Sequence, residues 1–109
     1  MPLRMTIQTL QVVSAFLEDV THEWHGFGLV DRTGIKSGTL YPILIRLEKA
    51  GWLDSRLEDI DPSAAGRPPR RLYVLSAEGE AAARVELAAH LDALAPARAS
   101  APKFRERLA

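Results

Sequence analysis

No cysteine occurs in the chain, which excludes a disulfide framework and any cysteine-ligated zinc site. Apolar runs long enough to cross a bilayer are also missing, as is the basic-then-apolar start of a signal peptide. Together these absences predict a cytoplasmic protein with no membrane partner. Nor is there an excess of charge of one sign: 14 basic residues stand against 14 acidic ones, for a formal net charge of zero. A nonspecific nucleic-acid coat is usually strongly basic. Catalytic signatures are lacking too. No serine sits in a strand–turn–helix elbow, and the glycines make neither a phosphate-binding loop nor a dinucleotide fingerprint. An enzyme is not expected, and no cofactor is called for.

What is present is ordinary for one globular domain: 109 residues, 47% hydrophobic and 26% charged. A chain of this size buries only a modest core, so a partner surface would help it.

The order of elements can be read from caps and periodicity. Thr6 can cap a first helix, and Ile7, Leu10, Val13, Leu17 and Val20 recur at helical spacing, predicting one buried stripe from about Thr6 to Asp19. "THEWHGFG" reads as a turn into a short second helix, about Phe27 to Arg32, ended by Gly34. A third helix follows from Ser37, its expected cap, to Ala50. Leu40, Leu44 and Leu47 face inward, Tyr41, Ile45, Arg46 and Lys49 face outward, and Gly51 supplies the stop. Two short strands come next, Trp52 to Leu57 and Arg71 to Leu75, with Trp52 anchoring the first in the core. The loop between them, "EDIDPSAAGRPPRR", is too long for a tight hairpin. Ser76 then caps a last helix, rich in strong helix formers, with Glu78 in its first turn and Pro96 at its end. A loose tail carrying Phe104 and Leu108 follows.

Helix, short helix, helix, hairpin, helix is the order of a winged helix-turn-helix: mainly α with a small β-hairpin and an additional C-terminal helix. The expected organisation is a winged-helix unit over residues 1–76, a dimerisation helix over 77–95 and a tail over 96–109.

One residue in the third helix needs explaining. In "SGTLYPILIRLEKAGW", Pro42 has no N–H to give, and its ring crowds the carbonyl four residues back. If the regular helix starts near Tyr41, Pro42 takes the first helical position at almost no cost. If it starts at Ser37, Pro42 forgoes about one hydrogen bond. In a helix-turn-helix the second helix points its N-terminal turn into the major groove, where unbonded N–H groups can meet phosphate. Lys36 and Ser37 stand at that end, Gly38 lets backbone approach DNA, Thr39 and Tyr41 offer hydroxyls, and Arg46 lies one turn on. An amphipathic core helix with a kink would also account for this stretch. The downstream "GRPPRR" tips the balance. Gly66 and two prolines stiffen a loop tip from which Arg67, Arg70 and Arg71 project, the side chain best suited to phosphate forks and narrow minor grooves. The alternative is a solvated cluster neutralising Asp59 and Asp61.

His22 and His25 stand three apart, but two histidines without a third ligand at fitting spacing do not make a metal site, and none is expected. His90 belongs to the surface or an interface.

From Gly28 to Arg84 the chain resembles the PadR family of bacterial transcriptional regulators. The likeness lies in "SGTLYPIL-RLEKAGWL", the acidic "EDIDP", the wing "GRPPRRLYVLS" and "AEGEAAAR". The resemblance implies a homodimeric winged-helix regulator, usually a repressor, on a palindromic double-stranded operator. It assigns Ser37, Gly38, Thr39, Tyr41 and Pro42 to the recognition helix and Arg67, Arg70 and Arg71 to the wing. It also implies pairing through the last helix together with the first, which fits the apolar face of Ala81, Val85, Ala88, Leu91 and Leu94. Two departures stand out. "HGFG" replaces the "GY" that often opens the family's second helix, and the longer effector-sensing C-terminal region is absent. Some small members hold flat aromatic drugs between paired tryptophans, but Trp24 and Trp52 are not on the last helix, so no such pocket is predicted. Any small-molecule effector remains unassigned. Two other classes stay open: a winged helix used as a protein-interaction module, and a nonspecific architectural DNA binder.

Overall fold

The computed structural model describes residues 3–91. Leu94, Pro96, Phe104 and Leu108, and with them the expected tail, lie outside the described residues. Within them the chain runs α1 (Ile7–Glu18), β1 (Trp24–His25), α2 (Gly26–Thr33), α3 (Ser37–Lys49), β2 (Leu53–Leu57), α4 (Pro62–Ala65) and β3 (Arg71–Leu75). A final helix, α5, follows over residues 77–91. The winged helix-turn-helix read from the sequence is the architecture observed, with one strand more than expected.

The first helix begins where its cap predicts. The Thr9 amide donates to the Thr6 hydroxyl at 3.1 Å, and the two threonine hydroxyls meet at 2.9 Å, which satisfies the buried Thr9. The stripe expected to be buried is so only in part: Val13 is fully buried and Leu17 and Val20 pack on the edge of the core. Val12, Val13, Ala15 and Phe16 enter the core with Thr9, whereas Ile7 is 77% exposed and Leu10, Leu17 and Val20 are half-buried. Apolar residues lie on two faces of α1, and only packing against α2 and α3 decides which face is covered.

His25 starts α2: its Nδ1 accepts the Gly28 amide at 3.0 Å. Gly34 ends the helix in the left-handed conformation (φ 74°) and returns its N–H to the Val30 carbonyl at 2.8 Å. Thr33 tightens the turn by donating to the Leu29 carbonyl (2.7 Å) and accepting from the Ile35 amide (3.1 Å). Ile35 is thereby buried between α2 and α3.

The cap of α3 is Lys36, not Ser37, and no side chain caps it; Ser37 is already helical. Pro42 therefore lies inside the helix rather than at its start, and the Gly38 carbonyl loses its usual donor. Both residues are exposed, so water can take that carbonyl. Leu40, Leu44 and Leu47 are fully buried as expected, joined by Ile43. Each such side chain contributes about 1.5–3 kcal/mol of burial.

The sheet has three antiparallel strands in the order β1-β3-β2. β2 and β3 form the wing hairpin, in register from Leu53 opposite Leu75 to Leu57 opposite Arg71. β1, read from the sequence as a turn, adds Trp24 opposite Tyr73 and His25 opposite Leu72. The wing loop is partly ordered by α4: the Asp61 carboxylate accepts the Ser63 amide at 3.0 Å, and Gly66 closes the turn.

Ser76 caps α5 as predicted, accepting the Gly79 amide at 2.9 Å and donating to the Gly51 carbonyl at 2.6 Å. A Cβ at Gly79 would overlap the Trp52 backbone, so the helix passes directly over the start of the wing. Ala83, one turn on, is fully buried in the same core as Phe16, Leu44 and Tyr73. Trp52 itself is half-buried and packs on the edge of that core.

Candidate nucleic-acid interface

The first turn of α3 is open. Thr39 and Leu40 both donate to the Lys36 carbonyl, at 3.0 and 2.9 Å, while the Ser37 and Gly38 amides find no acceptor among the described residues. An uncapped N-terminus on an exposed turn leaves N–H groups and the positive end of the helix dipole available to an anion. Lys36, Ser37 and Gly38 are exposed, Thr39 is half-buried, and Tyr41, Pro42, Ile45 and Arg46 continue along the outer face.

The wing meets this helix at a cleft of about 130 Å³. It is lined by His25, Gly26 and Phe27 from α2 and its cap, Tyr41 from α3, and Arg70, Arg71 and Tyr73 from the second wing strand and its approach. Tyr41 lies against Gly26, where any Cβ would overlap its hydroxyl. Because His25 Nδ1 accepts a hydrogen bond, Nε2 carries the proton of the neutral ring, so a donor is available beside the cleft. Burial pushes the Tyr73 phenol above its ordinary pKa, keeping it neutral.

The three wing arginines do different things. Arg67 reaches back to Glu58, with Nη1 at 2.7 Å and Nη2 at 3.3 Å from the two carboxylate oxygens, and Nη1 also donates to the Pro68 carbonyl at 3.2 Å. Its partner is Glu58 rather than Asp59 or Asp61. Arg71 donates to the Ser55 hydroxyl at 3.1 Å, which in turn donates to Glu48 at 2.7 Å. The Arg70 guanidinium has no acceptor among the described residues, although its amide donates to Glu58 at 2.9 Å.

Ion pairing sorts the remaining cations. Arg32 pairs with Glu18, Arg56 with Glu23 and Arg84 with Glu80. Lys36, Arg46, Lys49, Arg70 and Arg71 enter no ion pair among the described residues, and Arg4 ahead of α1 is the other such cation. Among the described residues, the cations outside ion pairs thus fall mostly on α3 with its cap and at the start of β3. The structure brings Tyr41 together with Arg70 and Arg71, and leaves Arg67 and Gly66 farther out along the wing loop.

Reading the sequence missed His25, Gly26, Phe27 and Tyr73 in this cleft. The signal was "HGFG": Gly26 and Phe27 open α2, the place where the family often carries "GY". The two histidines have other occupations, His25 as a cap and His22 edge-on against Trp24 with ring centroids 4.5 Å apart.

A three-helix core, an open second helix of the helix-turn-helix and a three-stranded wing carrying unpaired arginines define a winged-helix DNA-binding protein. The PadR-like family of transcriptional regulators matches residues 19–85, and the chain belongs to that family; it is a transcriptional regulator and not an enzyme. Among solved structures it is similar to a PadR family regulator from Eggerthella lenta DSM 2243, at 25% identity and a TM-score of 0.64 over 86% of this chain and 83% of that one. It is also similar to smu.1704 from Streptococcus mutans UA159, at 27% identity and a TM-score of 0.61 over 84% and 85% of the two chains. Reduced AbfR bound to DNA shares the fold, with a TM-score of 0.65 at 18% identity over 95% of this chain and 70% of that one. No curated protein matches the chain. No helix among the described residues is long and apolar enough to cross a membrane.

Proposed function

We propose that the protein is a homodimeric, cytoplasmic repressor that binds a palindromic operator. Each α3 would enter a major groove, and each wing would rest on the flanking backbone or minor groove. The observation that carries this reading is that α3 opens with unbonded amides and, through Tyr41, lines one cleft with Arg70 and Arg71, which enter no ion pair among the described residues. Lys36, Ser37, Gly38, Thr39 and Tyr41 would take phosphates and the helix end, with Pro42 and Arg46 against base edges. Gly66, Arg67, Arg70 and Arg71 form the wing. Phosphate contacts would set the register, and a few α3 side chains would read sequence. AbfR, of the same fold, has been seen on DNA.

Dimerisation would use α5 with α1. On α5, Ala81 and Ala88 are exposed, Val85 is 69% exposed and Leu91 40% exposed, an apolar row that no other described residue covers. Ile7 on α1 is 77% exposed. Leu94, the remaining residue of the expected interface, lies outside the described residues. In this scheme residues 1–76 bind DNA, 77–95 pair the two copies, and 96–109 form the tail.

The test is a titration against duplex from upstream of the protein's own gene, with random duplex as competitor. Competitor-resistant binding that a double Arg70→Ala, Arg71→Ala variant loses supports a specific regulator. Equal weak binding to both duplexes would indicate an architectural binder, and none to either would favour a protein-docking role for exposed Ile45 and Tyr41.

A further inference from the structure

The long loop between β2 and β3 is folded around one carboxylate. Glu58 leaves β2 and takes three donors: Arg67 Nη1 at 2.7 Å, Arg67 Nη2 at 3.3 Å and the Arg70 amide at 2.9 Å. The Glu58 amide returns a bond to the Arg70 carbonyl at 2.8 Å, so the two residues exchange backbone and side-chain contacts across the mouth of the loop. Arg67 and Glu58 are the least exposed ion pair among the described residues, at 34% and 18% of their side-chain surface. Beyond this closure β3 begins at Arg71, and Arg70 and Arg71 line the cleft with Tyr41.

We propose that Glu58 is the positioning residue of the wing, and that Arg67 serves the loop rather than the DNA. By fixing Arg67 and the Arg70 backbone, the carboxylate sets the point at which Arg70 and Arg71 project toward α3. This deepens the DNA-binding reading above and rests on it for its effect on affinity. The physical case is one of preorganisation. The segment between the wing strands, residues 58–70, is ordered in its middle by α4, and without a clamp the stretch from Gly66 to Arg70 would have to be ordered at the moment of binding. An arginine already bonded twice to a carboxylate also has little to offer a phosphate.

The proposal inverts a simple electrostatic expectation. Removing a carboxylate near DNA should tighten binding if Glu58 only repels phosphate. If Glu58 is a clamp, its removal weakens binding. The experiment takes the full chain as Glu58→Ala, Glu58→Gln, Arg67→Ala, the Glu58→Ala, Arg67→Ala double variant and Arg70→Ala. Two properties are read: amide exchange across residues 58–71 without DNA, and affinity for a labelled duplex from upstream of the protein's own gene at several salt concentrations.

Glu58→Ala is expected to speed exchange at the Arg70 amide and to weaken binding about three- to tenfold, the range that ordering one or two long side chains spans. Arg67→Ala should match it, and the double variant should be no worse than either. Neither single change should alter the slope of log affinity on log salt, whereas Arg70→Ala should lower it by about 0.9, one phosphate's share. Glu58→Gln, which keeps an acceptor for the Arg70 amide, should fall between Glu58→Ala and the unaltered protein. Tighter binding in Glu58→Ala, additive losses in the double variant or a shallower salt slope in Arg67→Ala would each overturn the proposal. If the unaltered protein binds no duplex, the DNA-binding reading fails instead. The exchange data then decide the clamp alone, and unchanged protection at Arg70 in Glu58→Ala would sink it.

Discussion

The hydroxyl end of Tyr41, on the helix placed to read DNA, rests on the Cα of Gly26, the first residue of α2. A Cβ added there would overlap the hydroxyl and lie 2.8 Å from ring carbon Cε1. The ring is thus held between the two helices of the helix-turn-helix and faces the wing arginines across the cleft. Gly26→Ala should push the ring away, because a tyrosine end can swing where backbone cannot. The expected result is a loss of DNA affinity comparable to that of Tyr41→Ala, with stability changed by less than about 1 kcal/mol. Paired binding and urea titrations check this. Unchanged affinity would remove Tyr41 from the interface.

Gly79 offers the contrasting case. There a Cβ would meet the backbone of Trp52, whose carbonyl accepts the Ser76 amide at 2.9 Å. Backbone in a bonded turn cannot step aside, so Gly79→Ala should cost about 1–3 kcal/mol, as overpacking does. Urea unfolding reads this, and a neutral result would mean that α5 can lift from the wing.

Glu58 supplies a pH signature. The Arg67 guanidinium and then the Arg70 amide hold its carboxyl down from 4.5 to about 2. A depressed carboxylate pKa means that the folded state binds its proton less readily than the unfolded one. Its contribution to wing order is therefore complete above about pH 4.5 and is lost as the pH falls toward 2. A carboxyl-carbon NMR titration should place Glu58 well below 4.5, and Arg67→Ala should return it toward that value.

The dimer reading has its own test. Val85→Asp places a charge on an exposed position of α5 and leaves the buried Ala83 turn intact. Sedimentation should show the mass falling from two chains to one, with the helical circular dichroism of the monomer retained. An unaltered mass would move the interface elsewhere.

Much of this architecture was legible in the residues. Leu40, Leu44 and Leu47 offer α3 a single inward line, and Thr6, Gly34 and Ser76 each act as caps where they stand. The α1 stripe was not legible. Apolar side chains cover two faces of that helix, so periodicity picked Val13 correctly but added Ile7 and Leu10, while the fold also covers Val12 and Phe16. β1 is two residues long and exists only as an addition to β3, with no alternation to announce it. In the wing, Asp59 and Asp61 were the acids the sequence offered to the arginines, and only the loop's path brings Arg67 to Glu58 instead. α2 begins at Gly26, one residue before the expected Phe27, with His25 as its cap, and only the folded chain brings His25 and Phe27 to the cleft beside Tyr41.

The central claim is sequence-specific recognition by a symmetric pair of α3 helices, and selection from a pool of randomised duplexes tests it most directly. The expected outcome is enrichment of an inverted repeat whose half-sites lie about 10–10.5 base pairs apart, or a multiple of that, the spacing two such helices impose. A pool that binds without enriching any sequence, or that retains no DNA at moderate salt, would contradict it.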